Sequence, residues 1–322
     1  MRIAAFALAA FFSFATGIAS AQNPYPTKPI KLVVPFAPGG TSEILARSLA
    51  KTMGEGLGEA IVIENIGGAG GTLGSAAVAR ATPDGYTLLF GYSSGLTIAP
   101  GLYANLPYDS IKSFTPIGTV ARFYMLFVAH SAVPANSLQE LVAYARQNPG
   151  KVTFGSAGVG SSIHLLGEIL KTKAGIEITH VPYKGMQPAL LDLVAGRITF
   201  AIDASDSLTP LIKDGRIKPL AVTSSQRLPN YPEVPTVFEA GYPELGVFVW
   251  TALVGPAGLP PAITARLEAE LARAQKTPEL QKVFTSRGYE MFPNSSAQLT
   301  ELMRTEIPRW AAVSKASGAK AE

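Results

Sequence analysis

The residues with the clearest chemical use are glycines and hydroxyl side chains set between apolar runs. Residues 37–42 read Ala-Pro-Gly-Gly-Thr-Ser, between a β-rich run at 30–36 and a helical pattern with Ile44, Leu45 and Leu49 on one side. Gly39 and Gly40 let the backbone approach a ligand closely, and Thr41 and Ser42 stand where a helix N-cap is expected. A first helical turn offers unpaired N–H groups, and its dipole adds about half a positive charge. Strand, glycine turn and helix start together make an anion trap. A shift of 120 residues finds the pattern again in 151–170: Gly160 falls on Gly40, Ser161 on Thr41, Ser162 on Ser42 and Leu165 on Leu45. Here too a short strand, 152–154, leads through Ser156, Ala157 and Gly158 into a Ser-capped helix. Two traps, one in each half, predict two α/β lobes facing each other across a cleft. Two ordinary βα turns would look the same on fold grounds.

Other chemistries find less support. Gly91-Tyr92-Ser93-Ser94-Gly95 matches the G-x-S-x-G nucleophile elbow and follows a strand pattern. A secreted serine esterase built on Ser93 would need Asp109 and one of His130, His164 or His180. The segment soon meets Pro100-Gly101 instead of a long helix, and no HGGG-type oxyanion motif precedes it. The glycine clusters at 68–73 and 158–163 lack the third glycine of a dinucleotide fingerprint, and no GK[ST] is present. Three isolated histidines and no cysteine supply neither a metal ligand set nor thiolate chemistry, so no cofactor or metal is expected.

His164, one turn into the second helix, either hydrogen-bonds a ligand carboxylate or packs toward the lobe interior. Asp203 ends the strand 198–202, and fixing a neighbouring loop suits it better than binding a ligand amine, because an unpaired buried acid beside an anion is costly. Phe36, Tyr92, Phe154 and Trp250 are candidates for cleft walls or for plain core. No Lys or Arg occurs in 36–46 or 154–170, so an anion in these turns would be held by backbone N–H and hydroxyl groups.

These residues have to be positioned by the chain around them. The protein has 322 residues, 47% hydrophobic and 16% charged, enough for two folded domains. The net charge of +4 is dispersed, with no nucleic-acid footprint. Residues 1–21 read as a cleaved signal peptide, with Arg2, an apolar stretch 3–18 and Ala19-Ser20-Ala21. An uncleaved anchor is the rival reading. Export and the lack of cysteine place the expected monomer in a periplasm. Strands at 30–36, 60–64 and 86–90 alternate with helices at 42–53 and 72–81, and a second glycine turn spans 65–71. That alternation predicts a mainly parallel sheet flanked by helices, with ligands beyond the strands' carboxyl ends. Loops 36–42 and 92–95 then form the lip. A long β-rich run at 117–129 crosses to the second lobe, where a helix at 137–147 is capped by Ser137. Strands at 176–183, 198–202 and 217–222 follow, with helices at 187–194 and 209–214. The run 247–254 returns, and helices 261–275 and 297–313 pack back on the first lobe. The lobes are expected at 25–122 with 242–322, and at 123–241.

Across nearly the whole of 25–258 the chain resembles a known family. The motifs, in order, are PFAPGGTSEIL (35–45), NIGGAGGTL (65–73), PDGYTL (83–88), LPYD (106–109), FTP (114–116), GSAGVGSS (155–162) with His164, HVPYKG (180–185), Pro188-Ala189 and GPAG (255–258). They are similar to those of the Bug-type extracytoplasmic solute receptors of tripartite tricarboxylate transporters. The resemblance implies a periplasmic-binding-protein-like Venus flytrap with no catalytic activity, whose APGG and GSAGVGSS loops close on a ligand carboxylate, often with ordered waters. It implies integral-membrane permease subunits as partners; a receptor handing its closed form to a membrane sensor kinase is a rival reading. The ligand-binding set expected here is Phe36, Gly39, Gly40, Thr41, Ser42, Tyr92, Ser93, Ser94, Ser156, Ala157, Gly158, Gly160, Ser161, His164 and Asp203. One ligand carboxylate per trap, and an aromatic dicarboxylate walled by Phe36, Tyr92 and Phe154, follow from the same expectation. The sequence departs from the family at Glu43, where Asp is usual, and at Ile66-Gly67, where a basic residue and a proline are usual.

Overall fold

The computed structural model describes residues 25–159 and 161–318. The signal-peptide reading and Gly160 lie outside these residues. No helix among them is long and apolar enough to cross a membrane.

The chain runs β1 (Ile30–Val34), α1 (Thr41–Leu57), β2 (Ile61–Asn65), α2 (Thr72–Ala79), β3 (Thr87–Tyr92), β4 (Phe114–Phe123), β5 (Met125–His130), α3 (Leu138–Gln147), β6 (Val152–Ser156), α4 (Ser162–Ala174), β7 (Ile178–Pro182) and α5 (Met186–Val194). It continues β8 (Phe200–Ala204), α6 (Ser205–Lys213), β9 (Ile217–Val222), β10 (Val249–Pro256), α7 (Pro261–Ala274), α8 (Pro278–Thr285), β11 (Tyr289–Met291) and α9 (Ser296–Ser317). Two sheets result, one ordered β11-β4-β10-β3-β1-β2 and the other β7-β6-β8-β5-β9.

Within the first sheet, β2, β1 and β3 are parallel, as the strand-helix alternation predicts. β10 runs antiparallel to β3 and β4, and β11 antiparallel to β4, so the sheet is mixed. In the second sheet β6 is parallel to β7 and β8, while β5 is antiparallel to β8 and β9. The antiparallel members have a common cause. The run expected to cross at 117–129 is two strands, β4 in one sheet and β5 in the other, divided at Tyr124. A strand arriving from the other sheet enters at the facing end and must run away from it. Hence Met125 opens β5 beside Ala204, the last residue of β8, and Thr251 of β10 lies beside Tyr92, the last residue of β3.

Helix α1 turns Leu45, Ala46, Leu49, Ala50 and Met53 onto the sheet and stops at Gly58, whose φ of +80° suits glycine. Helix α9 opens with a reciprocal Ser295–Gln298 capping box. It packs on β4, on the π-helical turn Ser94–Ile98 after β3, and on α4, which follows a strand of the other sheet. Gly101 permits that approach, since a Cβ there would lie 2.7 Å from the Ala311 Cα. The buried Glu306 carboxylate accepts from Trp250 Nε1 at 2.8 Å and from Thr97 Oγ1 at 2.9 Å, and burial raises its pKa. Trp250, fully buried and so engaged, is core and not a cleft wall.

Glu306→Ala strands the Trp250 donor, while Thr97 Oγ1 keeps the Ser93 carbonyl at 3.0 Å, and an unpaired buried donor costs about 1–3 kcal/mol. Urea unfolding should show a loss of that order, with Glu306→Gln losing clearly less. Equal losses in the two variants would contradict this arrangement.

Candidate functional site

The start of α1 is capped differently from the sequence expectation. Gly40 is the N-cap and has no side-chain cap; Thr41 and Ser42 are the first two helical residues. Glu43 does the capping by reaching back. Its Oε2 accepts from the Gly39 N–H at 2.7 Å and its Oε1 from Arg47 Nε at 2.7 Å. Those bonds, the Gly39 amide first and then Arg47, hold the Glu43 carboxyl below its usual range. The two hydroxyls are freed for contacts further away. Thr41 Oγ1 donates to Asp206 Oδ2 at 2.7 Å, and Ser42 Oγ accepts from the Tyr92 hydroxyl at 2.9 Å. The Phe36 ring meets Tyr92 edge-on at 4.9 Å. Gly67 lets the loop after β2 lie against this turn, because a Cβ there would fall 2.8 Å from the Ala37 nitrogen. Ser94 is half-exposed and donates to the Gly70 carbonyl at 3.2 Å.

The turn after β6 is built by hydroxyls. Ser161 caps α4, accepting from the His164 N–H at 3.2 Å while donating to the Gly158 carbonyl at 2.8 Å. Gly158 has a φ of +124°, open to glycine and strained for other residues. Ser156, fully buried, accepts from the Gly158 N–H at 3.1 Å and meets His180 Nε2 at 2.6 Å. Ala157 is exposed.

His164 packs toward the interior of its lobe. It is 6% exposed, its ring lies 3.9 Å from that of His180, and His180 stacks in turn on Phe154 at 4.9 Å. Its Nε2 stands 3.9 Å from Glu168 Oε1. Phe154 is wholly buried between His180 and Phe200, so it belongs to the core; Tyr92 is buried too, and the half-buried Phe36 lies against it. Burial, and second the His164 ring, depress the His180 pKa to about 4.

β6 and β8 are parallel neighbours, so the Ser156–Ser161 turn and residues 203–206 emerge side by side. Asp203 holds the start of α6, its Oδ1 accepting from the Ala204 N–H at 2.8 Å and its Oδ2 from the Ser207 hydroxyl at 2.7 Å. This is the loop-fixing geometry; burial raises the Asp203 carboxyl to about 6. The Thr41–Asp206 bond therefore joins the carboxyl end of one sheet to that of the other. Gly288, ahead of β11, lies directly against the Ser205 hydroxyl and makes a second such contact. Asp206, Ser205 and Gly288 were not singled out from the sequence, and His180 was named only as a possible esterase partner and within the HVPYKG motif. Asp206 follows Asp203 in a first helical turn, but no local pattern pairs residue 41 with residue 206.

The serine of the esterase elbow is buried. Ser93 is 2% exposed and leads into the π-helical turn. His130, His164 and His180 all sit on elements of the other sheet, and the Asp109 carboxylate is engaged by the Ile111 and Lys112 N–H groups at 2.9 Å each. A cavity of about 710 Å³ lies between α6 and the turn after α8, beside Asp206, Thr209, Lys213, Tyr231 and Arg287, and holds none of the expected site residues.

The family model for the tripartite tricarboxylate transporter family receptor matches residues 45–319. The chain belongs to that family. It is also similar to the solved periplasmic binding protein BugD, at 37% identity and a TM-score of 0.82, over 92% of this chain and 100% of that one. A Rhodopseudomonas palustris protein solved with adipate is 35% identical with a TM-score of 0.84, over 92% and 99% of the two chains. MatC from the same organism, with bound malate, is 34% identical with a TM-score of 0.80, over 90% and 99%. The two-lobed α/β fold expected for a Bug-type receptor is the fold these proteins share with this chain.

The titrating groups near the turns make opposed contributions to stability. With a folded pKa of about 4 against an ordinary 6.5, His180 leaves the unfolded chain binding the proton first, so stability falls as pH drops through that window. Asp203, raised from 3.8 to about 6, takes its proton first in the folded state, so stability rises as pH falls from about 6 toward 3.8. Thermal melts at about pH 4.5 and 7.5 should show His180→Gln losing less on acidification than the wild type, and Asp203→Asn losing more. Identical pH responses in all three proteins would contradict these assignments.

Proposed function

We propose that this chain is a periplasmic solute-binding receptor that closes its two lobes on a small organic carboxylate and presents the closed form to integral-membrane permease subunits. The observation that supports the reading is the Thr41–Asp206 bond, which joins the carboxyl ends of the two sheets from which the amide-rich starts of α1 and α4 emerge. The N–H groups of Thr41 and Ser42 head α1, and those of Ser162 and Ile163 head α4. Such groups, with the helix dipole, favour an anion without a salt bridge. The adipate and malate in the two R. palustris relatives are organic acids of the kind such a site would take.

On this reading Phe36 and Tyr92 form one wall. Gly39, Gly40, Thr41, Ser42 and Ser94 line the first lip, and Ala157, Gly158, Gly160 and Ser161 the second, with the buried Ser93 and Ser156 supporting them from beneath. His164 and Asp203 act from behind, one under the α4 turn and one at the start of α6. The lobes divide at 122/123 and 241/242, closure is a hinge motion about these crossings, and ligand stabilises the closed state. Residues 1–21 direct export.

Ser162→Pro tests the amide site selectively. Ser162 is the first residue of α4, where proline is tolerated, and Ser161 already has the extended φ −64°, ψ 155° that a following proline requires. The change removes one donor to the carboxylate, and a hydrogen bond to a charged group is worth about 1.5–3 kcal/mol. Calorimetry with adipate and malate should show wild-type binding and at least a roughly tenfold loss in Ser162→Pro, with little change in melting temperature. Ser93→Ala should keep most of its affinity, and no ester should be consumed by either protein. Unchanged affinity in Ser162→Pro, or ester turnover abolished by Ser93→Ala, would overturn the reading.

A further inference from the structure

The two helix starts are not equivalent, and the difference points to the chemistry of the ligand's far end. At α1 the chain's own carboxylates are already in place. Glu43 takes the Gly39 N–H at 2.7 Å, and Asp206, arriving from α6, takes the Thr41 hydroxyl at 2.7 Å. The half charge of the α1 dipole thus faces two acids of the protein itself. Glu43 is paired with Arg47, its Oε1 accepting at 2.7 Å. Asp206 forms no ion pair among the described residues; Lys213 and Arg287 share the neighbouring cavity with it without closing to ion-pair distance. Its charge reaches the nearby groups, and it is among the causes that raise Tyr92, Tyr289 and Asp203. At α4 the arrangement is reversed. No acid stands in the first turn, and Glu168, further along, faces His164.

We infer that Asp206 is a specificity-determining residue that keeps a second ligand carboxylate away from the first lobe. The inference rests on the proposed binding of a carboxylate at the α4 turn. A second carboxylate at α1 would sit beside the unpaired Asp206, and like charges at such a distance disfavour each other. A hydroxyl, amide or ammonium group would instead donate to Asp206 Oδ1, the oxygen that Thr41 leaves open. The preferred ligand is a monocarboxylate with a hydrogen-bond donor at its other end. The sequence expectation of one ligand carboxylate per trap is replaced by one carboxylate, held at α4, and one donor group, held at Asp206.

The test uses the full chain and two matched pairs of probes, adipate and malate, each against its own monoamide. Calorimetry on the wild type should find at least one monoamide binding roughly tenfold or more tighter than its diacid. Asp206→Asn, which still accepts from Thr41, should shift that ratio toward the diacid by at least about tenfold, and Asp206→Glu should keep the wild-type preference. Diacid preference in the wild type together with an unchanged ratio in Asp206→Asn would overturn the inference. If both members of a pair bind and both lose affinity in Ser162→Pro, the proposed function stands whatever Asp206 does. If no probe binds, that function fails and takes this inference with it.

Discussion

Two sheets that end toward each other impose most of what is found in this molecule. The chain must pass from one to the other and back, and each passage enters its new sheet at the facing end. β5 and β10 are therefore antiparallel to strands that are otherwise parallel. The same facing ends carry the turns of β1, β3, β6 and β8, because parallel βα units place their loops at the strands' carboxyl ends. Thr41 bonded to Asp206, and Ser205 against Gly288, are two points among the described residues where these ends touch. Without those contacts the two helix starts would be unrelated features of separate lobes.

On the proposed reading, holding an anion with amides instead of lysine or arginine has a physical consequence. Backbone donors do not have to be ordered when the ligand arrives, and they bring no buried cation that needs a counter-charge in the open state. The supporting shell follows from that choice. Ser156, Ser161 and His180 fasten the turn before α4, Glu43 and Arg47 fasten the turn before α1, and Asp203 fastens α6. The acidic groups near the site are engaged by the protein itself: Glu43 by Gly39 and Arg47, Asp203 by Ala204 and Ser207, and Asp206 by Thr41.

The sequence made legible what depends on short-range chemistry. Glycine at Gly58 and the Gly-rich 65–71 turn punctuate the first βαβαβ segment, and Ser137 caps α3 by accepting from the Glu140 N–H at 3.2 Å. The glycine turns stand out because only glycine suits the φ of +124° at Gly158. Elements fixed by distant partners were illegible. β11 has three residues, too few to show a period, and exists because β4 offers it an edge. α6 starts at Ser205, four residues ahead of the expected 209, where the Asp203 carboxylate holds the Ala204 N–H and the Ser207 hydroxyl. Thr41 and Ser42 looked like caps because their type favours that role; Glu43 reaching back to Gly39 released them. Phe154 and Trp250 were ambiguous by type, and only packing on His180 and Glu306 assigns both to the core.

The central claim is that an organic acid is gripped by peptide N–H groups at the facing helix starts. Amide-resolved NMR during titration with malate and adipate tests it most directly. The account expects the largest shift changes at Ser162 and Ile163, with smaller ones at 40–42 and at Asp206. Changes centred instead on Lys213, Tyr231 and Arg287, or none anywhere with either acid, would contradict it.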